Sequence, residues 1–314
     1  MIINKIGFIG LGNVGEKLAM NLINNKKKLY IYDKNKETYL KFKKKNVVNC
    51  SNLKDLAKFC NVIITCLPSP KSIRNVIEEL EPCLNKSHLW IEMSTTDKEE
   101  MINLSKKIIK RGSHVLEAPI TGGEHRAKSG NISILAAGER KTFDKVFPIL
   151  SKMGHQILYC GKIGNASTLK ILTNYLASLN LLGLGEALAV ARKHKIDLGL
   201  TYKAIKISSG NSFVNETETQ VILSGSYDVG FTMDLANKDI NLFNNLANEY
   251  KISLDLGKVL KNKFKKGLEI LGNRSYSTSI IKLIENENRI KMRAKNFPNQ
   301  LIDDNIKKKG IEIK

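Results

Sequence analysis

After a short apolar run, the chain reads Gly10-Leu11-Gly12-Asn13-Val14-Gly15, a GxGxxG turn. Glycines at this spacing build a phosphate cradle from backbone alone. Gly10 permits the tight turn, Gly12 lets the main chain approach a pyrophosphate, and Gly15 lets helix and strand pack closely. The pyrophosphate then meets the amides and positive dipole end of the helix that follows. Leu11, Asn13 and Val14 fill the turn and join the expected cofactor-binding set. A bare glycine turn is the bland alternative; the strand pattern before it and the helix pattern after it favour a dinucleotide. Asp33 closes the next strand, eighteen residues beyond Gly15. An acid there accepts hydrogen bonds from the adenosine ribose and repels a 2′-phosphate, so NAD is expected over NADP. Lys34 and Lys36 are the counter-signal, because either could meet a 2′-phosphate.

A second stretch with chemical content is Thr121-Gly122-Gly123. It offers a hydroxyl and backbone N–H groups to a carboxylate, and its glycines permit close approach and unusual backbone angles. Its bland reading is an ordinary turn after a strand. The five histidines show no ligand spacing, and no HExxH occurs, so no metal site is expected. Cys50, Cys60, Cys66, Cys83 and Cys160 form no close CxxC pair and suggest neither a disulfide framework nor a zinc knuckle, which fits a reducing compartment.

The elements that must position these residues alternate. Strand patterns fall at Ile3–Ile9, Leu29–Tyr32, Asn61–Leu67, Leu89–Met93, His114–Glu117, Ile132–Ala136 and Gln156–Tyr159, with helical patterns between most of them, including Val14–Asn25 and Asp97–Lys110. Such alternation predicts an α/β fold, a Rossmann-type doubly wound, mostly parallel sheet. After Gly161 the pattern changes. Leu169, Leu172, Leu176, Leu179, Leu182 and Leu188 recur at helical spacing from about Gly164 to His194. A helix that long and that apolar is expected to be buried in a second domain or an interface. Glu186, on this apolar helix, reads as a structural acid needing a partner. Further helical patterns lie near 199–208, 215–224, 235–248, 253–266 and 277–286, with no convincing strand. The expected organisation is therefore a dinucleotide-binding domain, 1–162, and an all-α substrate and oligomerisation domain, 163–314, joined through the long helix and ending in a polar surface tail.

The 314-residue chain is long enough for two cores, and its 42% apolar content excludes a disordered polymer. No run approaches eighteen apolar residues, and the N-terminus leads directly into a strand pattern, so a cytoplasmic protein is expected. The net charge of +21 comes from lysines spread along the chain, in runs such as Lys26-Lys27-Lys28, Lys43-Lys44-Lys45 and Lys307-Lys308-Lys309, with sparse arginine and no nucleic-acid motif. This reads as a solvated basic surface that attracts anionic substrates, not as a nucleic-acid interface.

Taken in order, four stretches carry a resemblance over nearly the whole chain: Gly7 to Gly15 with Met20-Asn21-Leu22; Glu117-Ala118-Pro119-Ile120-Thr121-Gly122-Gly123 running on to Ala127 and Gly130; Gly161-Lys162-Ile163-Gly164-Asn165 leading to Lys170 and Asn174; and Lys238-Asp239 after Phe231. In these the sequence resembles the β-hydroxyacid dehydrogenases, most closely the 3-hydroxyisobutyrate dehydrogenase group. The resemblance implies NAD-dependent hydride transfer to and from a small 3-hydroxy acid, homodimers or homotetramers, and an active site between two domains. It makes Lys170 the catalytic lysine and Asn174 its substrate-orienting neighbour. It makes Thr121, Gly122 and Gly123 the carboxylate loop. It brings Lys238 to the substrate side of the cofactor with Asp239 in support, and lines the cofactor cleft with Leu67, Pro68 and Thr95. Three departures stand out: Arg126 where the family usually has glycine, Asn131 where threonine is common, and no aspartate near Asn273–Tyr276.

Lys170 and Asn174, spaced i, i+4, share a helix face. A lysine serves as general acid or base when burial or nearby positive charge brings its pKa towards neutrality, and Lys238 is a source of such charge. On composition alone a lysine in this chain is a solvated surface charge; the resemblance singles out Lys170. The rival activities are reduction of an aldehyde acid, such as tartronate or succinic semialdehyde, and imine reduction, which Lys170 argues against. A non-catalytic or nucleic-acid-associated protein on this fold is the remote alternative.

Overall fold

The computed structural model describes residues 5–23, 28–43 and 46–314. Expected features at Ile3, at Asn24 and Asn25, and at Lys26, Lys27, Lys44 and Lys45 lie outside the described residues. The chain forms two compact units, residues 1–170 with 303–314, and residues 171–302.

The first unit begins with β1 (Ile6–Ile9), α1 (Asn13–Leu22), β2 (Leu29–Tyr32), a 3-10 turn (Lys36–Lys41), β3 (Val47–Asn49), α2 (Leu53–Phe59), β4 (Val62–Thr65), α3 (Pro70–Leu80), β5 (Leu89–Glu92), α4 (Lys98–Lys110) and β6 (His114–Glu117). It continues with β7 (Ile120–Thr121), α5 (Gly123–Ser129), β8 (Ile132–Gly138), α6 (Arg140–Met153), β9 (Gly154–Tyr159) and the start of α7 (Asn165–Lys193). Caps explain several helix starts. Asn52, Ser69 and Asp97 each accept a hydrogen bond from the amide three residues on, and Pro70 follows Ser69 where its missing N–H costs nothing.

The strands β3-β2-β1-β4-β5-β6 lie in that order, all parallel. β8 joins β6 antiparallel, and β9 then runs parallel to β8. Order reverses between β1 and β4, the switch point where doubly wound sheets bind ligands at their strands' carboxyl ends. Both faces are buried, as period-two alternation requires: Phe8, Ile31, Ile64, Ile91 and Leu116 enter one core, and Ile9, Tyr30, Ile63, Trp90 and Val115 the other.

The second unit holds the rest of α7, then α8 (Leu198–Lys206), α9 (Phe213–Ser224), α10 (Met233–Glu249), α11 (Asp255–Leu271), a 3-10 turn (Ser277–Ile280) and α12 (Ile281–Asn288). Leu188, Ile222, Ile240, Phe264 and Ile281 centre its core. Glu285, fully buried, accepts from Tyr227 Oη at 2.7 Å, the Met292 amide at 2.7 Å and Arg293 Nη1 at 2.8 Å, fixing the chain that leaves α12.

Several features differ from the sequence reading. The units divide inside α7, not at 162, because the first turns of that helix are pinned to the sheet domain. The polar tail is no loose surface appendage: Ile311–Ile313 forms β10, parallel to β9 at the sheet edge. Its lysines masked a short strand that needs only one apolar face. The first half of α7 keeps Leu169, Leu172 and Leu176 partly or well exposed, whereas Leu182 and Leu188 are buried. Glu186 is exposed and needs no buried partner. Among the described residues, no helix is long and apolar enough to cross a membrane, and no three His, Cys, Asp or Glu side chains group as metal ligands.

Glu218, on α9, has a buried Oε2 with no hydrogen-bond partner among the described residues, and burial pushes its carboxyl up to about 8. An acid raised on folding binds its proton more tightly in the folded chain. Its contribution to stability is present below the ordinary carboxylate range and is lost as pH rises through about 8. Thermal melts at pH 5 and pH 9 are expected to show a larger loss of Tm for the wild type than for Glu218→Gln. Equal losses would contradict the assignment.

Candidate functional site

The glycine turn follows β1 at the switch point. Gly10 adopts φ +93°, and a side chain there would collide with the Cys66 carbonyl oxygen, so only glycine fits. A Cβ on Gly15 would strike the Gly10 carbonyl, which is the close helix-to-strand approach that the motif demands. Gly12 is the opposite case: a Cβ there meets nothing within 4 Å. Its backbone faces open space at the N-terminus of α1, with room for a pyrophosphate beside the turn. Asn13 is exposed, Val14 half-buried and Leu11 buried as part of the core.

Asp33 does more than the sequence implied. Its Oδ2 accepts from the Leu11 amide at 2.6 Å and its Oδ1 from the Asn35 amide at 2.8 Å. The carboxylate thus fastens the end of β2 to the glycine turn and keeps further lone-pair capacity for ribose hydroxyls. Lys36 bends back: Nζ donates to the Asp33 carbonyl at 3.1 Å and to Tyr39 Oη at 3.2 Å, and lies 4.5 Å from the Tyr32 ring centroid. These contacts hold Lys36 against the protein.

The next strand ends are joined by a residue that the sequence reading passed over. Glu92, at the end of β5 and 1% exposed, accepts from Thr65 Oγ1 and from the Ser94 amide, both at 2.6 Å. Ser94 Oγ in turn accepts from the Leu67 amide at 2.7 Å, and Trp90 Nε1 donates to Thr65 Oγ1 at 2.7 Å. Leu67 is thereby set at the carboxyl end of β4 beside the turn, where a Cβ on Gly10 would lie 2.9 Å from its Cδ2; Pro68 follows it, and Thr95 follows Ser94 after β5. Burial, then the nearby Glu92, push the Cys66 thiol up to about 12, so this cysteine is an inert packing group.

Thr121 ends β7, paired with Ser133 of β8. Gly122 at φ +121° and Gly123 at φ +85° then turn the chain into α5. A Cβ on Gly122 would lie 3.1 Å from Arg126 Cδ, so Arg126 packs its stem beneath the loop. Burial and the neighbouring Arg126 lower the His125 pKa.

Glu117, at the end of β6 and fully buried, reaches the start of α7. Its Oε1 accepts from the Gly164 amide at 2.5 Å and the Ala166 amide at 3.1 Å; its Oε2 accepts from the Ser167 amide at 3.1 Å and Ser167 Oγ at 2.5 Å. Burial raises its pKa, and these four donors oppose that by favouring the carboxylate. Gly164, at φ +97°, makes the turn that lets the helix begin there. Lys170 follows one turn after Ala166 and is 6% exposed, which is rare burial for an amine.

In the second unit, three expected residues come together. Asn174 Nδ2 donates to Asp239 Oδ2 at 2.5 Å, and Lys238 Nζ lies 2.9 Å from Asp239 Oδ1. Asp239, 2% exposed, accepts the hydrogen bond that orients the Asn174 amide and holds the Lys238 ammonium by charge. The sequence paired Asp239 with Lys238 but gave no sign that it also holds Asn174, 65 residues earlier, because helix packing alone makes that pair.

The backbone cradle at Gly12, the glycine-only conformation at Gly10 and the acid at the end of β2 fit a dinucleotide. Leu11, Gly12, Asn13 and Val14 would hold its pyrophosphate and Asp33 its ribose.

Comparison with known proteins agrees. The profile of the NAD-binding domain of 6-phosphogluconate dehydrogenase matches residues 5–161. The profile described as NAD-binding of NADP-dependent 3-hydroxyisobutyrate dehydrogenase matches residues 164–284. Rat mitochondrial 3-hydroxyisobutyrate dehydrogenase is 32% identical over 264 residues, covering 81% of this chain and 79% of the rat protein. The 2-(hydroxymethyl)glutarate dehydrogenase of Eubacterium barkeri is 28% identical, covering 90% and 95%. The solved Mycobacterium tuberculosis 3-hydroxyisobutyrate dehydrogenase with L-serine shares the fold, with a TM-score of 0.81 at 21% identity, covering 90% of this chain and 99% of that one.

Removing the Glu117 carboxylate tests its role at the start of α7. Glu117→Ala leaves three backbone amides and a hydroxyl without their acceptor, each loss costing about 1–3 kcal/mol when buried. Denaturant unfolding is expected to show a loss of about 4–5 kcal/mol, the upper range that breaking a buried hydrogen-bond network reaches. A loss below about 1 kcal/mol would show that the interaction does not fix the helix.

Proposed function

The chain belongs to the β-hydroxyacid dehydrogenase family, in the 3-hydroxyisobutyrate dehydrogenase group, and from that premise we propose that it is an NAD-dependent dehydrogenase of a small 3-hydroxy acid, with Lys170 as general acid and base. It has the family's NAD(P)-binding domain and its NAD(P)-dependent oxidoreductase activity on a small hydroxy or keto acid. The observation that carries the finer reading is the buried Lys170, seated on α7 just beyond the turn that Glu117 holds.

Bound NAD supplies the two-electron acceptor. Thr121 Oγ1 and the Gly122 and Gly123 amides receive the substrate carboxylate. As the substrate C–H bond breaks, the Lys170 amine takes the hydroxyl proton; in reduction its ammonium returns a proton to the developing alkoxide. Asn174 orients the hydroxyl, held in place by Asp239. Lys238 adds positive charge on the substrate side. NAD is preferred over NADP because Asp33 ends β2 and Lys36 is folded back onto its carbonyl and onto Tyr39. The exposed Leu172 and Leu176 on α7 support a homodimer or homotetramer, and the spread of lysine along the chain supports the absence of a nucleic-acid partner.

A panel of 3-hydroxy acids and aldehyde acids identifies the best substrate for the decisive variant. Lys170→Ala is expected to fold by circular dichroism, bind NAD by fluorescence titration and lose about 100- to 10,000-fold in kcat. Lys170→Arg should restore little, since a guanidinium does not release its proton at neutral pH. Near-normal kcat in a folded, NAD-binding Lys170→Ala would remove the lysine from the mechanism. With the same substrate, kcat/KM is expected to be higher with NAD than with NADP. The reverse order would turn the assignment towards Lys34.

A further inference from the structure

The last twelve residues return to the first unit and grip it at several points. Asp303 Oδ2 accepts from Ser129 Oγ at 2.5 Å and from Asn131 Nδ2 at 3.1 Å. The same Asn131 amide nitrogen is within 3.3 Å of the Asn305 carbonyl and 3.4 Å of the Ile306 carbonyl, and Asn131 Oδ1 accepts from the Lys308 amide at 2.8 Å. Lys307 Nζ donates to Asn21 Oδ1 at 2.8 Å and to the Lys152 carbonyl at 2.6 Å. His155 Nδ1 donates to the Lys309 carbonyl at 2.8 Å. Gly310 passes so close to α6 that a Cβ would lie 2.6 Å from Ser151 Cα, and β10 and the Glu312–Arg140 pair complete the seat. The segment lies beyond residue 284, where the second family profile ends.

What it grips is the far end of α5. Gly130, at φ +77°, closes that helix with the Gly130 amide on the Ala127 carbonyl and the Asn131 amide on the Arg126 carbonyl, a Schellman closure. Asn131 is therefore both the closing residue of α5 and the dock for the returning chain. That accounts for asparagine here, since a threonine hydroxyl cannot span an acceptor carboxylate, backbone carbonyls and a backbone amide together. Asn21 adds a third fixing point, donating to the Ala127 carbonyl at 2.8 Å while accepting from Lys307. α5 has only seven residues, and Gly122 and Gly123 stand at its other end. A short helix moves as one body, so freedom at Ser129 is freedom at Gly122.

We propose that the C-terminal segment Asp303–Lys314 is a strap that sets the pose of the Thr121–Gly123 loop, with Asp303 and Asn131 as positioning residues for the substrate carboxylate. The inference rests on the reading of that loop as the carboxylate site. Its consequence is that substrate affinity in this chain depends on residues far outside the dinucleotide cradle and Lys170.

Full-length Asp303→Ala, Asn131→Thr, Asp303→Asn and Thr121→Ala separate the possibilities, with 3-hydroxyisobutyrate as the probe substrate. Asp303→Ala and Asn131→Thr are expected to raise KM about tenfold, leave kcat within about threefold and leave NAD affinity within about twofold. Amide hydrogen exchange should quicken at residues 122–131 while the β1–α1 segment keeps its protection. Asp303→Asn, which retains an acceptor for Ser129, should recover most of the loss in KM. A lowered Tm with unchanged KM and unchanged exchange at 122–131 would reduce the strap to a sheet-edge brace and overturn the proposal. If exchange quickens in Asp303→Ala but Thr121→Ala leaves KM unchanged, the loop does not bind the carboxylate, and the proposal falls with that reading and not through the strap.

Discussion

One buried carboxylate sets the frame for the chemistry. Glu117 ends a central strand and receives two backbone amides, a third amide and a hydroxyl from the first turn of α7. A charge in that position is costly to bury unless its lone pairs are occupied, and here both oxygens are. The result is a rigid joint between the sheet and the helix that bears Lys170. In the proposed mechanism Lys170 is the general base, which has to sit within hydrogen-bond reach of the proton it takes, so a helix free to slide at its first turn would lose that geometry. Glu92 does the same work one strand away, tying β4 to the loop after β5. The two acids are structural, and they are the reason the loops at the carboxyl ends of the sheet keep their shape.

The cofactor end of the site is built differently. It depends on backbone that only glycine can supply at Gly10, on open space at Gly12, and on Asp33 holding the turn by the Leu11 amide. No side-chain charge is spent on the phosphates in the turn itself. In the proposed mechanism the substrate end combines the Gly122 and Gly123 amides with side chains: a hydroxyl at Thr121, the amide of Asn174, and the amines of Lys170 and Lys238. Asp239 fixes two of these from a single buried position.

Much of this was legible in the sequence. Strands such as Leu29–Tyr32 and His114–Glu117 announced themselves by apolar runs between turn residues, and the glycine motif by its place between strand and helix. What stayed hidden was long-range. Glu92 reads as one more acid until the fold brings Thr65 and Ser94 to it. Asp239 and Asn174 meet only through helix packing. Ile311–Ile313 is too short and too surrounded by lysine to read as a strand, and its pairing with β9 closes a loop of some 150 residues that no local pattern signals. The exposed Glu186 shows the converse: an apolar helical period does not say which flank meets solvent.

In the proposed reaction a hydride passes directly from the carbinol carbon of a 3-hydroxy acid to NAD, and the hydroxyl proton leaves separately. Turnover of 3-hydroxyisobutyrate carrying deuterium on its carbinol carbon, followed by mass spectrometry of the NADH formed, tests it. Direct transfer predicts that the NADH gains one mass unit and that solvent water gains no label. Unlabelled NADH, or no NADH from this or any other 3-hydroxy acid, would contradict it.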